Sequence, residues 1–238
     1  MKIECSSYTN IGSRTHNEDA LCVESAKDGI LLAVADGLGG YQGGEVASKV
    51  AMDVLKQEFH QSPLQFDLSR AISMANFQIL EQQKKTGLRM KSTVSAAWVG
   101  IKKTVFAHVG DSRIYAFQNG RISFQTVDHS ASQMAVFLGE IDSSEIRNHP
   151  DRNILTRTLG ASPELKIDTT VIENEKYDAL LLCTDGFWEY VLEEEMTRFL
   201  LSSQQSSCWI SKMREAMTRR VKQGQDNNSA ITMVKRGE

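Results

Sequence analysis

Four acidic clusters in this 238-residue chain each sit beside an apolar run or a turn: Glu18-Asp19, Asp36-Gly37, Asp185-Gly186 and Asp226-Asn227. A further carboxylate, Asp111, lies in Gly110-Asp111-Ser112-Arg113. They are too far apart in sequence for any one to form a site alone. Gathered by a fold, they would line a pocket rich in oxygen and almost free of nitrogen or sulfur donors. Hard divalent cations such as Mg²⁺ or Mn²⁺ suit such a pocket better than zinc does. The chemistry this points to is metal-assisted hydrolysis, most naturally of a phosphate ester. Each acid taken singly also reads as turn chemistry, because Asp and Asn bond their own backbone at turns. Two apolar runs that both end in an Asp-Gly pair, at Asp36 and at Asp185, are harder to explain that way.

The elements that must position these acids are legible in outline. Ile30–Ala35 is a continuous apolar run, as expected of a strand buried on both faces, and it ends in the glycine-rich Asp36-Gly37-Leu38-Gly39-Gly40. A short strand over Leu21–Ser25 precedes it. Apolar residues at helical spacing predict helices over 44–59 and 67–84. From Ser92 to Val127 the pattern becomes strand-like, over 94–101, 104–109, 113–118 and 121–126, with Asn119-Gly120 as a hairpin signal. Asp128 to Gly160 is polar and irregular around a short helix at 130–138, and a connection of that length is usually functional. Strands return at 166–172, 179–183 and 229–234, with helices over 193–201 and 206–222. Hairpins mixed with separate helix pairs argue for an α+β layered domain with largely antiparallel sheets, a single domain over residues 1–238.

Bulk properties narrow the function classes. A formal net charge of −3 and 41% hydrophobic residues describe an ordinary globular chain, with no general reason to bind nucleic acid. The basic residues Arg214, Arg219, Arg220 and Lys222 read as a solvated helix face. Cys5, Cys22, Cys183 and Cys208 form no paired spacing and are expected to be reduced, with Cys183 buried as a small hydrophobe. No apolar stretch approaches the roughly 20 residues of a membrane span. The polar start Met1-Lys2-Ile3-Glu4-Cys5 does not read as a signal peptide. A cytoplasmic monomer without membrane insertion is the expectation.

In order, the motifs resemble the metal-dependent protein phosphatases, the type 2C serine/threonine phosphatase family in its short bacterial form. The carrying residues are Gly12-Ser13-Arg14-Thr15-His16-Asn17-Glu18-Asp19-Ala20, Val34-Ala35-Asp36-Gly37-Leu38-Gly39-Gly40 and Lys91-Ser92-Thr93. Val109-Gly110-Asp111-Ser112-Arg113, Leu182-Cys183-Thr184-Asp185-Gly186-Phe187-Trp188-Glu189 and Asp226-Asn227-Asn228-Ser229-Ala230 follow. The stretch 128–160 is similar to the family's flap segment. The resemblance spans essentially the whole chain.

It implies a central sandwich of two antiparallel β-sheets flanked by helices, four layers in all. It also implies two Mn²⁺ or Mg²⁺ ions with a possible third. Asp36 would bridge the two ions, with Asp185 and Asp226 on one side and Glu18 and the Gly37 carbonyl on the other. Asp111 would join Asp185 at the third ion, and Asp19 would support the cluster from behind. Two ions about 3.5–4 Å apart can lower the pKa of a bridging water and aim it at phosphorus. The planar fork of Arg14 suits two phosphate oxygens. Some family members carry a histidine where this chain has Leu38, which donates no proton; water on a metal or His129 is then the candidate acid. His16, His60, His108 and His149 are expected to be structural or solvated. Asn228, where the family more often has an apolar residue, is expected to affect packing rather than ligation.

The resemblance implies hydrolysis of phosphoserine and phosphothreonine on phosphorylated proteins, opposing a bacterial serine/threonine kinase. Two other readings stay open on sequence: a phosphatase of small phosphoesters, and a non-catalytic member used as a binding module.

Overall fold

The structure is a computed structural model that describes residues 2–39, 43–221 and 224–236. Gly40 and Lys222 lie outside the described residues. Two five-stranded sheets form its centre. One orders its strands Lys2–Asn10, Asn228–Arg236, Ala179–Cys183, Arg113–Gln118 and Arg121–Gln125. The other orders Asp168–Glu173, Lys103–Val109, Val94–Val99, Gly29–Ala35 and Ala20–Ala26. Neighbouring strands in both sheets are antiparallel.

The two apolar runs are explained by where they sit. Successive side chains of a strand point to opposite faces. In Gly29–Ala35, Leu31, Ala33 and Ala35 pack with the helices Gly43–Gln61 and Leu68–Thr86. Leu32 and Val34 instead enter the layer between the sheets. Ala179–Cys183 repeats the arrangement: Ala179, Leu181 and Cys183 face the helices Glu193–Leu201 and Ser206–Arg220, and Leu180 and Leu182 face the other sheet. A strand with apolar partners on both sides cannot alternate polar and apolar residues, so it reads as an unbroken run. The result is the helix–sheet–sheet–helix sandwich that the resemblance implies.

Local signals set most element ends. The Asp67 side chain accepts from Arg70 N–H at 2.9 Å and caps the second helix, an ordinary N-cap. The strands Arg113–Gln118 and Ala179–Cys183 and the helix Glu193–Leu201 fall on their expected bounds. The N-terminal strand Lys2–Asn10 carries no sequence expectation, because it is a sheet edge with mixed, half-exposed residues. The basic residues of Ser206–Arg220 are locally engaged: Arg214 lies 4.1 Å from the Tyr8 ring centre, and Arg220 pairs with Glu195. All four cysteines are free, and Cys183 is fully buried.

Residues 128–160 form an excursion holding the helix Ala131–Phe137 and a 3₁₀ turn Ser143–Asn148. Three arginines fasten it. Arg147 grips both Glu193 carboxylate oxygens at 2.7 Å, Arg152 Nε donates to Glu189 at 2.5 Å, and Arg157 donates to Asp168 at 2.7 Å. Its two ends close on each other where Thr156 N–H donates to the His129 carbonyl at 2.8 Å.

Candidate active site

The acids converge at one end of the sandwich. Gly29–Ala35 delivers Asp36 from one sheet, and Ala179–Cys183 followed by Thr184 delivers Asp185 from the other. Asp111 stands in the crossing from Lys103–Val109 of the first sheet to Arg113–Gln118 of the second. Gly110 makes that crossing with φ +107°, a conformation that disfavours any side chain. Asp226 precedes the strand Asn228–Arg236, and Glu18 precedes Ala20–Ala26. Glu18, Asp36, Asp111, Asp185 and Asp226 all line one cavity of ≈ 230 Å³, together with Arg14, Gly37, Leu38, Gly39, Asn153, Leu155 and Asn227.

Hydrogen bonds fix the backbone beneath the acids. Asp36 N–H donates to Thr93 Oγ1 at 2.9 Å, and the Asp36 carbonyl accepts from Thr93 N–H and Ser92 Oγ at 2.8 and 2.9 Å. Asn227 Oδ1 accepts Glu18 N–H at 2.8 Å, while its Nδ2 donates to the Ile11 and His16 carbonyls at 2.8 and 3.0 Å. One side chain thus holds the loop that carries both Arg14 and Glu18. Sequence reading gave Asn227 no such role, and no periodic pattern marks a polar loop residue. Asn153 and Leu155 are further additions, brought over the cavity by the excursion. Asn228 does more than pack: it is fully buried and its Nδ2 donates to the Asp226 carbonyl at 2.9 Å, bracing the turn that carries Asp226.

The electrostatics of the cluster are unbalanced. Burial and then the neighbouring Asp185, Asp19 and Asp111 push the Asp36 carboxyl well above its usual range. Burial, then Asp111 and Glu189, do the same to Asp185. Burial pushes Asp111 and Asp19 up to about 7 each, with Asp128 adding to Asp111 and Asp226 to Asp19. Asp111 Oδ1 and Asp19 Oδ1 are buried with no hydrogen-bond partner. Asp19 lies behind the cavity wall, where its Oδ2 accepts from Thr184 Oγ1 at 2.9 Å. Among the described residues Arg14 is the one positive group on the cavity; it donates to Asp226 Oδ2 at 2.6 Å and is largely exposed. A cluster this acidic, with orphaned oxygens and an all-oxygen donor set, fits divalent cations.

His129 is displaced from the acid role. It is buried away from the cavity lining, with Nδ1 accepting from Gly110 N–H at 3.0 Å and Nε2 facing Asp168 at 3.2 Å. Burial, then the neighbouring His108, lowers it to about 4, so it stays neutral near pH 7.

Known proteins share this arrangement. The family model for protein phosphatase 2C matches residues 8–224. The serine/threonine phosphatase Stp of Listeria welshimeri is 34% identical over 233 residues, covering 94% of this chain and 91% of that protein. The crystal structure of serine/threonine phosphatase Stp1 from Staphylococcus aureus superposes with a TM-score of 0.87 at 32% identity, covering 100% of this chain and 96% of that one. The catalytic domain of the phosphatase PstP, solved in complex with two manganese ions, superposes at 0.82 with 26% identity over 98% of this chain and 97% of that one. With an acidic oxygen cavity built on this sandwich and a family match over most of its length, the chain belongs to the protein phosphatase 2C family and is a metal-dependent serine/threonine protein phosphatase.

Proposed function

We propose that the five cavity carboxylates hold Mn²⁺ or Mg²⁺ in a two-ion site with a weaker third position, for hydrolysis of phosphoserine and phosphothreonine in proteins. The observation that carries this reading is the convergence of Glu18, Asp36, Asp111, Asp185 and Asp226, from separate chain segments, on one cavity that lacks enough positive charge of its own. Asp36 would contribute to both principal ions, with Asp185 and Asp226 available on one side and Glu18 with the Gly37 carbonyl on the other. Asp111, with its unpartnered Oδ1, and Asp185 would hold the third. When bound, such ions act as Lewis acids and supply a nucleophile at neutral pH.

The chain's own groups do the rest. Arg14 stands at the mouth on an exposed loop, so its guanidinium can exchange Asp226 for two phosphate oxygens. Asp19, hydrogen-bonded to Thr184, holds the wall between Asp185 and Glu18. Leu38 lines the cavity without a transferable proton, so the leaving alkoxide takes its proton from solvent in the cavity. Cellular partners on this reading are phosphorylated proteins, a bacterial serine/threonine kinase or its substrates, met by a cytoplasmic monomer. Among the described residues, no helix is long and apolar enough to cross a membrane.

The test is Mn²⁺-dependent release of phosphate from a phosphothreonine peptide, stopped by EDTA and restored by excess metal. Turnover of small phosphoesters with none on phosphopeptides or phosphoproteins would redirect the assignment. Arg14→Ala should raise KM for the peptide about 10-fold or more with kcat changed less, since a charge-assisted bond contributes about 1.5–3 kcal/mol. Unchanged KM and kcat would remove Arg14 from the site.

A methyl group at Gly44 tests the ligand side carried by Glu18. A Cβ there would stand 2.5 Å from Glu18 Oε1 and 2.6 Å from the Gly37 carbonyl oxygen. Gly44→Ala should therefore weaken Mn²⁺ activation by about 10-fold or more, the usual scale for disturbed ligand support. Activation at wild-type Mn²⁺ concentrations would show that neither oxygen matters.

A further inference from the structure

His108, His129 and Asp168 bring their donor atoms within 4.8 Å of one another, a spacing that a metal ion would accept. The hydrogen bonds assign the cluster a different task. Because Gly110 N–H donates to His129 Nδ1 at 3.0 Å, the neutral ring must carry its proton on Nε2. Nε2 then donates to Asp168 Oδ2 at 3.2 Å. Arg157 Nη1 donates to Asp168 Oδ1 at 2.7 Å and lies 3.1 Å from His129 Nε2, so two N–H donors share the Asp168 carboxylate and a positive group already stands beside the cluster. His108 stacks on His129 at 4.6 Å and directs its Nε2 to the Val127 carbonyl at 2.9 Å. His129 has no free lone pair for a metal: that of Nδ1 is engaged by Gly110 N–H, and Nε2 carries the proton.

We propose that His129 is a positioning residue for the Asp111 carboxylate, coupling the third cation position to the seating of the 128–160 flap. The proposal rests on the reading above that Asp111 is a cation ligand. His129 and Gly110 exchange two bonds: His129 N–H donates to the Gly110 carbonyl at 2.9 Å, and Gly110 N–H donates back to Nδ1. Gly110 packs directly on Thr93 at this point: its φ is +107°, and a Cβ there would meet Thr93 Cγ2 at 2.6 Å, so only glycine fits. On the far side, the Asp111 carbonyl accepts from Trp188 Nε1 at 3.0 Å.

Both supports are braced by the flap. His129 is held at its carbonyl by Thr156 and at Nε2 by Asp168, itself gripped by Arg157. Trp188 lies 3.5 Å under the Arg113 guanidinium, which donates to both Asp128 oxygens at 2.9 and 2.7 Å. The adjacent residues Asp128 and His129 thus fix the Asp111 peptide from two directions, and the carboxylate left free at Oδ1 inherits their position. Binding at Asp111 and seating of the flap must favour each other to the same extent, as any linked pair does.

Two substitutions at one site separate the roles of the ring nitrogens. The Asn amide oxygen can take the place of Nδ1 and accept from Gly110, whereas the Gln amide reaches the place of Nε2 and leaves Gly110 N–H without its acceptor. The experiment is calorimetric titration of the metal-stripped full chain with Mn²⁺, with the melting temperature of each variant recorded. His129→Gln should weaken the weakest binding phase by about 10-fold or more, with the tighter phases unchanged. His129→Asn should keep that phase within about 3-fold. Asp168→Asn, which leaves the Gly110 pair untouched, should fall between them and make the flap more open to limited proteolysis without Mn²⁺. Equal effects of Asn and Gln, or equal weakening of every phase, would overturn the positioning role. Asp111→Asn is the control: if it leaves the weakest phase intact, the ligand reading of Asp111 fails, and the inference with it.

Discussion

Asp36→Asn should lower kcat/KM toward a phosphothreonine peptide by about 10³-fold or more, while making the metal-free protein harder to unfold. The first effect follows from the place of Asp36 at the centre of the cavity, shared by both principal cations on the proposed reading. Losing that ligand forfeits several kcal/mol of charge stabilisation, and about 4 kcal/mol corresponds to 10³ in rate. The second effect has the opposite sign for a physical reason. Without metal, the Asp36 carboxylate is buried beside Asp185, Asp19 and Asp111, which repel it. An amide of the same shape keeps the backbone bonds to Thr93 and removes the repulsion. Activity within 10-fold of wild type, or a less stable apoprotein at pH 8, would contradict this account.

The second large effect concerns pH. In EDTA, stability to denaturant should fall as pH rises from about 6.5 to 8, and saturating Mn²⁺ should remove or reverse that fall. Asp19 and Asp111 are raised to about 7, and Asp36 and Asp185 well above their usual range, so the folded chain keeps protons that the unfolded chain has released. Where the folded state binds more protons, raising pH favours unfolding, by about 1.4 kcal/mol per pH unit for each extra proton. His108 and His129 act the other way, because both are lowered by burial; their contribution grows up to the unfolded histidine value near 6.5 and is then complete. Above 6.5 the histidines therefore add nothing further; Lys235, lowered by burial to about 8, opposes the trend toward the top of the window as a single group against four acids. Cation binding requires the ionised carboxylates, so metal shifts the balance toward the deprotonated folded state. Denaturant midpoints in EDTA that are flat or rising across this window would show that the cluster is not under strain.

Much of this was legible in sequence because burial leaves a mark on composition. Ile30–Ala35 and Ala179–Cys183 read as apolar runs because each is covered on both faces, and each ends where chain polarity returns at Asp36 or Thr184-Asp185. Helix periodicity located Leu68–Thr86 to within two residues at either end. What sequence did not reveal is the scaffolding around the acids. Thr93, Asn227 and Asn228 act through hydrogen bonds to backbone brought close by the fold, and a polar residue in a loop announces no partner. The same holds for His129, an apparent proton donor by type, whose ring is spent on Gly110 and Asp168. Asn153 and Leu155 reach the cavity only because Arg147, Arg152 and Arg157 fasten the flap across it.

The crossing at Gly110 joins the two sheets at the same end where Asp36 and Asp185 emerge from them. The spacing of the acids is therefore a property of the interior. Leu32, Val34, Leu180 and Leu182 act as the spacer between two plates whose rims carry the charges. Thinning or thickening that spacer changes the gauge of the site without touching a polar atom. The cations, drawing together rims that would otherwise repel, work as a clasp on the sandwich as much as a reagent for phosphate.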